Sequence, residues 1–101
     1  MNSHGVHELR SLAMHRIVRR KLEQSPGEVV RYGLENLQRW RRQGVECEDF
    51  DVWENLLTNG LDRLQTLLED DSAEAVRLRQ SSPFAGLVPE SERLAIMESI
   101  R

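Results

Sequence analysis

The stretch Ser25-Pro26-Gly27-Glu28-Val29-Val30-Arg31-Tyr32-Gly33-Leu34-Glu35-Asn36-Leu37-Gln38-Arg39-Trp40-Arg41-Arg42-Gln43-Gly44 decides the fold. It opens on a serine, a proline and, three positions after the serine, a glutamate. A serine oxygen at a helix start accepts from the free N–H groups of the first turn, proline's fixed φ suits the first helical position, and the glutamate reaches back to the cap. Val30, Leu34 and Leu37 then recur at helical spacing, with Trp40 one turn beyond. Arg39, Arg41 and Arg42 put positive charge where the helix dipole is negative, and Gly44 supplies the stop. The spacing predicts a helix over 26–43.

Outward from this segment the same period continues. Upstream, Val6, Leu9, Leu12, Ala13, Ile17, Val18 and Leu22 form an apolar stripe over 5–23, opposite a face carrying Arg16, Arg19, Arg20 and Lys21. Downstream, the acidic connector Glu46-Cys47-Glu48-Asp49 leads to Asp51 and Glu54, a cap and its glutamate, opening a short helix with Val52, Trp53, Leu56 and Leu57. Asn59-Gly60 breaks it, and Leu61, Leu64, Leu67 and Leu68 make a fourth stripe. Asp71 with Glu74 is expected to cap a fifth helix to about Gln80, with Ala73, Val76 and Leu78 turned inward. Pro83, Gly86 and Pro89 exclude regular helix from 81–89, and a last helix fits Glu90–Ile100 with Leu94, Met97 and Ile100 inward. No stretch alternates long enough for a strand. The reading is all-α, a compact bundle of five or six short helices with antiparallel neighbours, one domain over 1–101 without repeat or linker.

Composition narrows the function classes. At 101 residues the chain suits one small domain, and its 39 % apolar and 31 % charged fractions exclude collagen-like, disulfide-framework and low-complexity classes. A single cysteine, Cys47, forms no internal disulfide, and no Cys/His spacing of a structural zinc site is present. His4 and His7 share a face, but nothing at metal-ligand spacing completes a set; no metal and no cofactor are implied. The first residues lack the order of a signal peptide and no apolar run approaches the roughly 20 residues that cross a bilayer, so a soluble cytoplasmic protein without membrane contact is expected. Residues 1–44 hold nine basic against four acidic side chains, a balance of +5, and residues 45–101 hold five against thirteen, a balance of −8. Such a chain can pair with itself as a homo-oligomer, with a charged protein, or with nucleic acid through its first half.

Three constellations stand out. Arg10 and His15 bracket four residues, an arrangement that resembles the arginine–spacer–histidine signature of HEPN-type ribonuclease domains, which are small and helical. The resemblance implies RNA cleavage with Arg10 stabilising phosphorane charge and His15 moving a proton. Secondly, Arg16, Arg19, Arg20, Arg41 and Arg42 can neutralise phosphates, with Trp40 or Tyr32 to stack on a base. Helix-turn-helix readout of DNA is disfavoured, because the helix after Asn59-Gly60 carries Asp62, Glu69, Asp70 and Asp71 around one Arg63.

The third is the least generic text of the chain, Arg79-Gln80-Ser81-Ser82-Pro83-Phe84-Ala85-Gly86-Leu87-Val88-Pro89-Glu90-Ser91-Glu92-Arg93. Its prolines stiffen a loop presenting Phe84, Leu87 and Val88, which plug the core or dock into a partner. The pattern R-x-S-S-P-F-A-G-x-x-x-x-x-E-R, with the acidic cap Asp70-Asp71-Ser72 and the segment Leu12-Ala13-Met14-His15, resembles a group of small uncharacterised bacterial helical proteins. That resemblance implies, by analogy, an accessory or antitoxin-like partner of another protein. No nucleophile–base pair, paired carboxylates or phosphate-cradling glycine loop is legible, which favours a binding protein over an enzyme. The expected function is a helical protein-interaction module, an antitoxin or regulatory partner binding through Phe84, Leu87, Arg79 and Arg93. An RNA-directed protein is the alternative, as a HEPN-like ribonuclease through Arg10 and His15 or a passive binder through the basic half.

Overall fold

The computed structural model describes residues 5–101, which form six α-helices, one 3₁₀ turn and no strand. The helices are α1 (Val6–Gln24), α2 (Pro26–Arg42), α3 (Asp49–Asn59), α4 (Leu61–Leu67), α5 (Ala73–Arg79) and α6 (Glu90–Ser99), with the 3₁₀ turn at Ala85–Leu87 before α6. The all-α expectation holds. The Cα radius of gyration is 13.3 Å, against about 13 Å for a compact chain of 100 residues. Among the described residues no helix is long and apolar enough to cross a membrane.

Helix α1 packs on α2, α5 and α6, α2 packs on α3, and α3 on α4. Its expected face supplies Ile17, Val18 and Leu22 to the core, whereas Leu9 near its start is exposed. Ser25 lies between α1 and α2 and serves both: its N–H donates to Lys21 O and its carbonyl accepts from Val29 N. Its hydroxyl, expected to cap α2, makes no capping bond. Gly44, at φ +85°, ends the basic turn after α2, a conformation only glycine adopts without strain.

Several expected boundaries and faces are corrected. Helix α3 begins at Asp49, ahead of the expected Asp51 cap, which brings in Phe50 as a core residue and leaves Val52 exposed. Ser72 rather than Asp71 caps α5, its Oγ accepting from Ala75 N at 3.2 Å. That start turns Ala75 and Leu78 inward and Ala73 out to solvent. Helix α6 buries no residue fully: Leu94 is 50 % exposed, and Ile96 reaches the core cluster in its place.

The core gathers around Trp53 and Phe84, whose rings meet edge-to-face with centroids 5.6 Å apart. Rings of this size each bury roughly 150–250 Å². The Phe84 ring packs on Gly33 in the middle of α2, where an added Cβ would stand 3.0 Å from Phe84 Cε1 and 2.9 Å from Leu57 Cδ1. A helix-interior glycine, ordinarily costing about 1 kcal/mol relative to alanine, is explained there by the close approach of two core side chains. Trp40 is half-buried, stacked on Phe50 with centroids 5.5 Å apart.

Candidate functional site

The Ser81–Val88 segment is built into the core. Asn36, buried on α2, donates from Nδ2 to Pro83 O at 2.8 Å. The Trp53 indole N–H donates to Ser81 Oγ at 3.3 Å, and Ser82 Oγ accepts from Phe84 N at 3.3 Å, which shapes the turn that drives Phe84 inward. Tyr32 lies over Gly86, where an added Cβ would stand 1.9 Å from its hydroxyl. Phe84 is 1 % exposed, and Leu87 and Val88 are buried beside it. Phe84 and Leu87, expected as docking contacts, therefore fill the core: three apolar side chains on one short loop cost less folded under than presented to water. Arg93 forms an i, i+3 pair with Glu90 at the start of α6.

Arg79 is the exception within this segment, because it is a charge at 6 % exposure. Its Nη1 donates to Leu67 O at 2.9 Å and to Asp70 O, tying α5 to the end of α4. Burial pulls its pKa down, while Asp70, Asp71 and Glu8 act to hold the proton, so the guanidinium stays charged.

The RNA-cleavage pair does not converge. Arg10 donates from Nε to Ile100 O at 2.8 Å and from Nη2 to Met97 O at 3.3 Å, closing the free carbonyls at the end of α6. His15 turns into the protein, 8 % exposed, with Nδ1 2.7 Å from the Ser11 carbonyl. A carbonyl only accepts, so Nδ1 carries the proton. Burial lowers the His15 pKa to about 4, partly opposed by that bond and reinforced by the Arg79 charge. Residues five apart on a helix diverge by about 140°, which gives the two side chains these separate duties. His7 is exposed; its expected companion His4 lies outside the described residues, among which no cluster of metal-ligating side chains occurs.

The expected nucleic-acid set divides in the same way. Arg41 pairs with Asp51 at 2.8 Å and Glu54 at 3.1 Å on α3. Arg19 pairs with Glu23 at 3.1 Å, and its Nε lies 3.3 Å from Glu69. Trp40 stacks one face on Phe50, the Tyr32 hydroxyl lies against Gly86, and both rings are half-buried. Arg16, Arg20 and Arg42 are exposed, and none of them has an ion pair among the described residues.

Arg16 and Arg20 border a groove between α1 and α6. Its main hollow, about 470 Å³, is walled by Arg16, Arg19 and Arg20 over Ala13, Ile17 and Ile96, with Glu69 at one edge. A second hollow of about 290 Å³ shares Ile17 and Arg20 and runs on past Lys21 toward Pro89 and Glu92. Sequence reasoning located these arginines but not the groove, since the facing residue is Ile96 rather than the expected Leu94. No family model, curated protein or solved structure matches the chain.

Proposed function

We propose that this protein is a small helical binding module that captures an acidic segment of a partner protein in the groove between α1 and α6, in the manner of an antitoxin or regulatory subunit. The observation that supports the reading is the groove itself: two cations without counter-ions among the described residues, Arg16 and Arg20, flank an apolar floor of Ala13, Ile17 and Ile96. An acidic amphipathic segment matches that combination, with its carboxylates on the rim and its apolar side chains on the floor. Charge at the rim steers encounter, and apolar burial at the centre holds the complex. Acidic groups at the ends, Glu69 and Glu92, disfavour a continuous polyanion along the same track. The Phe84 loop serves this function indirectly, as the core against which α1 is set.

The test is capture by the tagged chain from a lysate of its native host, with the parent compared against an R16E/R20E variant of unchanged helicity. The expected result is a stoichiometric protein band with little absorbance at 260 nm, lost in the variant and weakened between about 50 and 200 mM salt. Capture that survives the charge reversal refutes the groove. Recovery of RNA in place of a protein moves the reading to a passive nucleic-acid binder.

A further inference from the structure

On the other side of α1 lies a second, half-open space that the groove does not use. A cavity of about 160 Å³ sits between α1 and the Ser82–Val88 segment. Its walls are mostly hydrocarbon, from Met14, Val18, Phe84 and Val88, while Ser11, His15 and Arg79 supply polar groups. A wider hollow of about 300 Å³, lined by His7, Glu8, Val76 and Gln80, shares Ser11 and Arg79 with it as a common wall.

Arg79 is what makes this more than a packing gap. Nη1 uses its N–H groups on the two backbone carbonyls, whereas Nε and Nη2 have no acceptor among the described residues. Neither atom is sealed away, since among the described residues the one enclosed side-chain nitrogen without a hydrogen-bond partner is Arg19 Nε. A buried guanidinium with open N–H groups at a cavity wall is a receptor for a carboxylate, which it binds by paired, charge-assisted hydrogen bonds. The carboxylates that stabilise the Arg79 charge, Asp70, Asp71 and Glu8, are absent from the walls of the inner cavity. An anion there meets the cation with no like charge in the cavity wall. His15 adds no competing charge, because its Nδ1–H is bound to Ser11 and burial keeps the ring neutral. The volume matches a cavity of about 150 Å³ that accepts benzene.

We propose that the cavity between α1 and the Ser82–Val88 segment binds a small monocarboxylic acid with a benzene-sized apolar body, its carboxylate on Arg79 and its body against Met14, Val18 and Val88. The site is independent of the α1–α6 groove. Occupancy would brace α1 against the loop that carries Phe84, so such an acid is a ligand that stiffens the fold.

The experiment is a ¹H–¹⁵N titration of the full chain with benzoate, with benzamide and inorganic phosphate as controls, on the parent, R79Q and M14F. Benzoate is expected to bind with Kd on the order of 1 mM, moving amides of 11–18 and 79–88, while benzamide and phosphate leave them in place. R79Q should abolish the shifts. M14F narrows the apolar end without touching the cation and should weaken benzoate at least tenfold, so it decides the matter if R79Q does not fold. Equal binding of benzamide and benzoate overturns the role of Arg79. Shifts confined to Arg16 and Arg20, or no shift at any benzoate concentration up to about ten times that Kd, overturn the site.

Discussion

Lowering the pH from 7 to 4 forces a proton onto His15, a side chain enclosed between α1 and the Phe84 loop. Its pKa in the folded chain, about 4, lies below the ordinary value of 6.5, chiefly because burial strips water from the charged ring. The unfolded chain therefore takes up the proton first. The stability that neutral His15 contributes is complete above about pH 6.5 and is lost progressively as the pH falls toward 4. At about 1.4 kcal/mol per pH unit, that interval amounts to about 3 kcal/mol, a large part of the roughly 5–15 kcal/mol that holds a domain of this kind together. The assay is urea unfolding of the parent and of His15→Asn at a series of pH values between 8 and 4. Asparagine places an amide N–H where Nδ1–H meets the Ser11 carbonyl and does not titrate; carboxylate titration is common to both proteins and cancels in their difference. The advantage of the parent over the variant should shrink by about 3 kcal/mol from pH 7 to pH 4. A difference that is constant with pH, or a His15 ring resonance that titrates near 6.5, would refute the reasoning.

Two further outcomes follow from the packing. Phe84→Ala should destabilise by about 3–5 kcal/mol and lower the melting temperature by roughly 15 °C or more; a variant melting within a few degrees of the parent would show that the ring is not a core element. Arg10→Met removes both bonds to the Ile100 and Met97 carbonyls and should cost about 1 kcal/mol. Its signature is faster amide exchange confined to α6, and a uniform rise across the chain would contradict the capping role.

What the sequence disclosed, and what it withheld, divides by the range of the interactions. Pro26 and Gly44 mark the ends of α2 by backbone chemistry that acts within a few residues, and the structure keeps both ends within one residue of expectation. The α5 and α6 faces were misread because Ala73 and Leu94 fit the helical period as well as Ala75 and Ile96 do; tertiary contact with α1 selects between them. The Phe84 loop was legible as unusual text, but its direction depends on Asn36 and Trp53, 47 and 28 residues away from their respective partners Pro83 and Ser81. Likewise, the basic face of α1 was evident from spacing, whereas the silencing of Arg41 by Asp51 and Glu54 and of Arg10 by the end of α6 required the folded chain. Arg79 could have been suspected only from its place in a distinctive segment; nothing local distinguishes a buried arginine from a solvated one.

The two tryptophans occupy unlike surroundings, and this equips the chain with two intrinsic fluorophores. Trp53 is sealed at 0 % exposure with its indole N–H on Ser81, and its ring lies against Phe84. Trp40 is partly open to solvent at the seam of α2 and α3. Emission from Trp53 belongs at the short-wavelength edge of the spectrum and that from Trp40 nearer the aqueous limit. Replacing Trp40 by phenylalanine would leave a single-tryptophan protein whose emission wavelength reports directly on the Ser81–Phe84 turn, without a label.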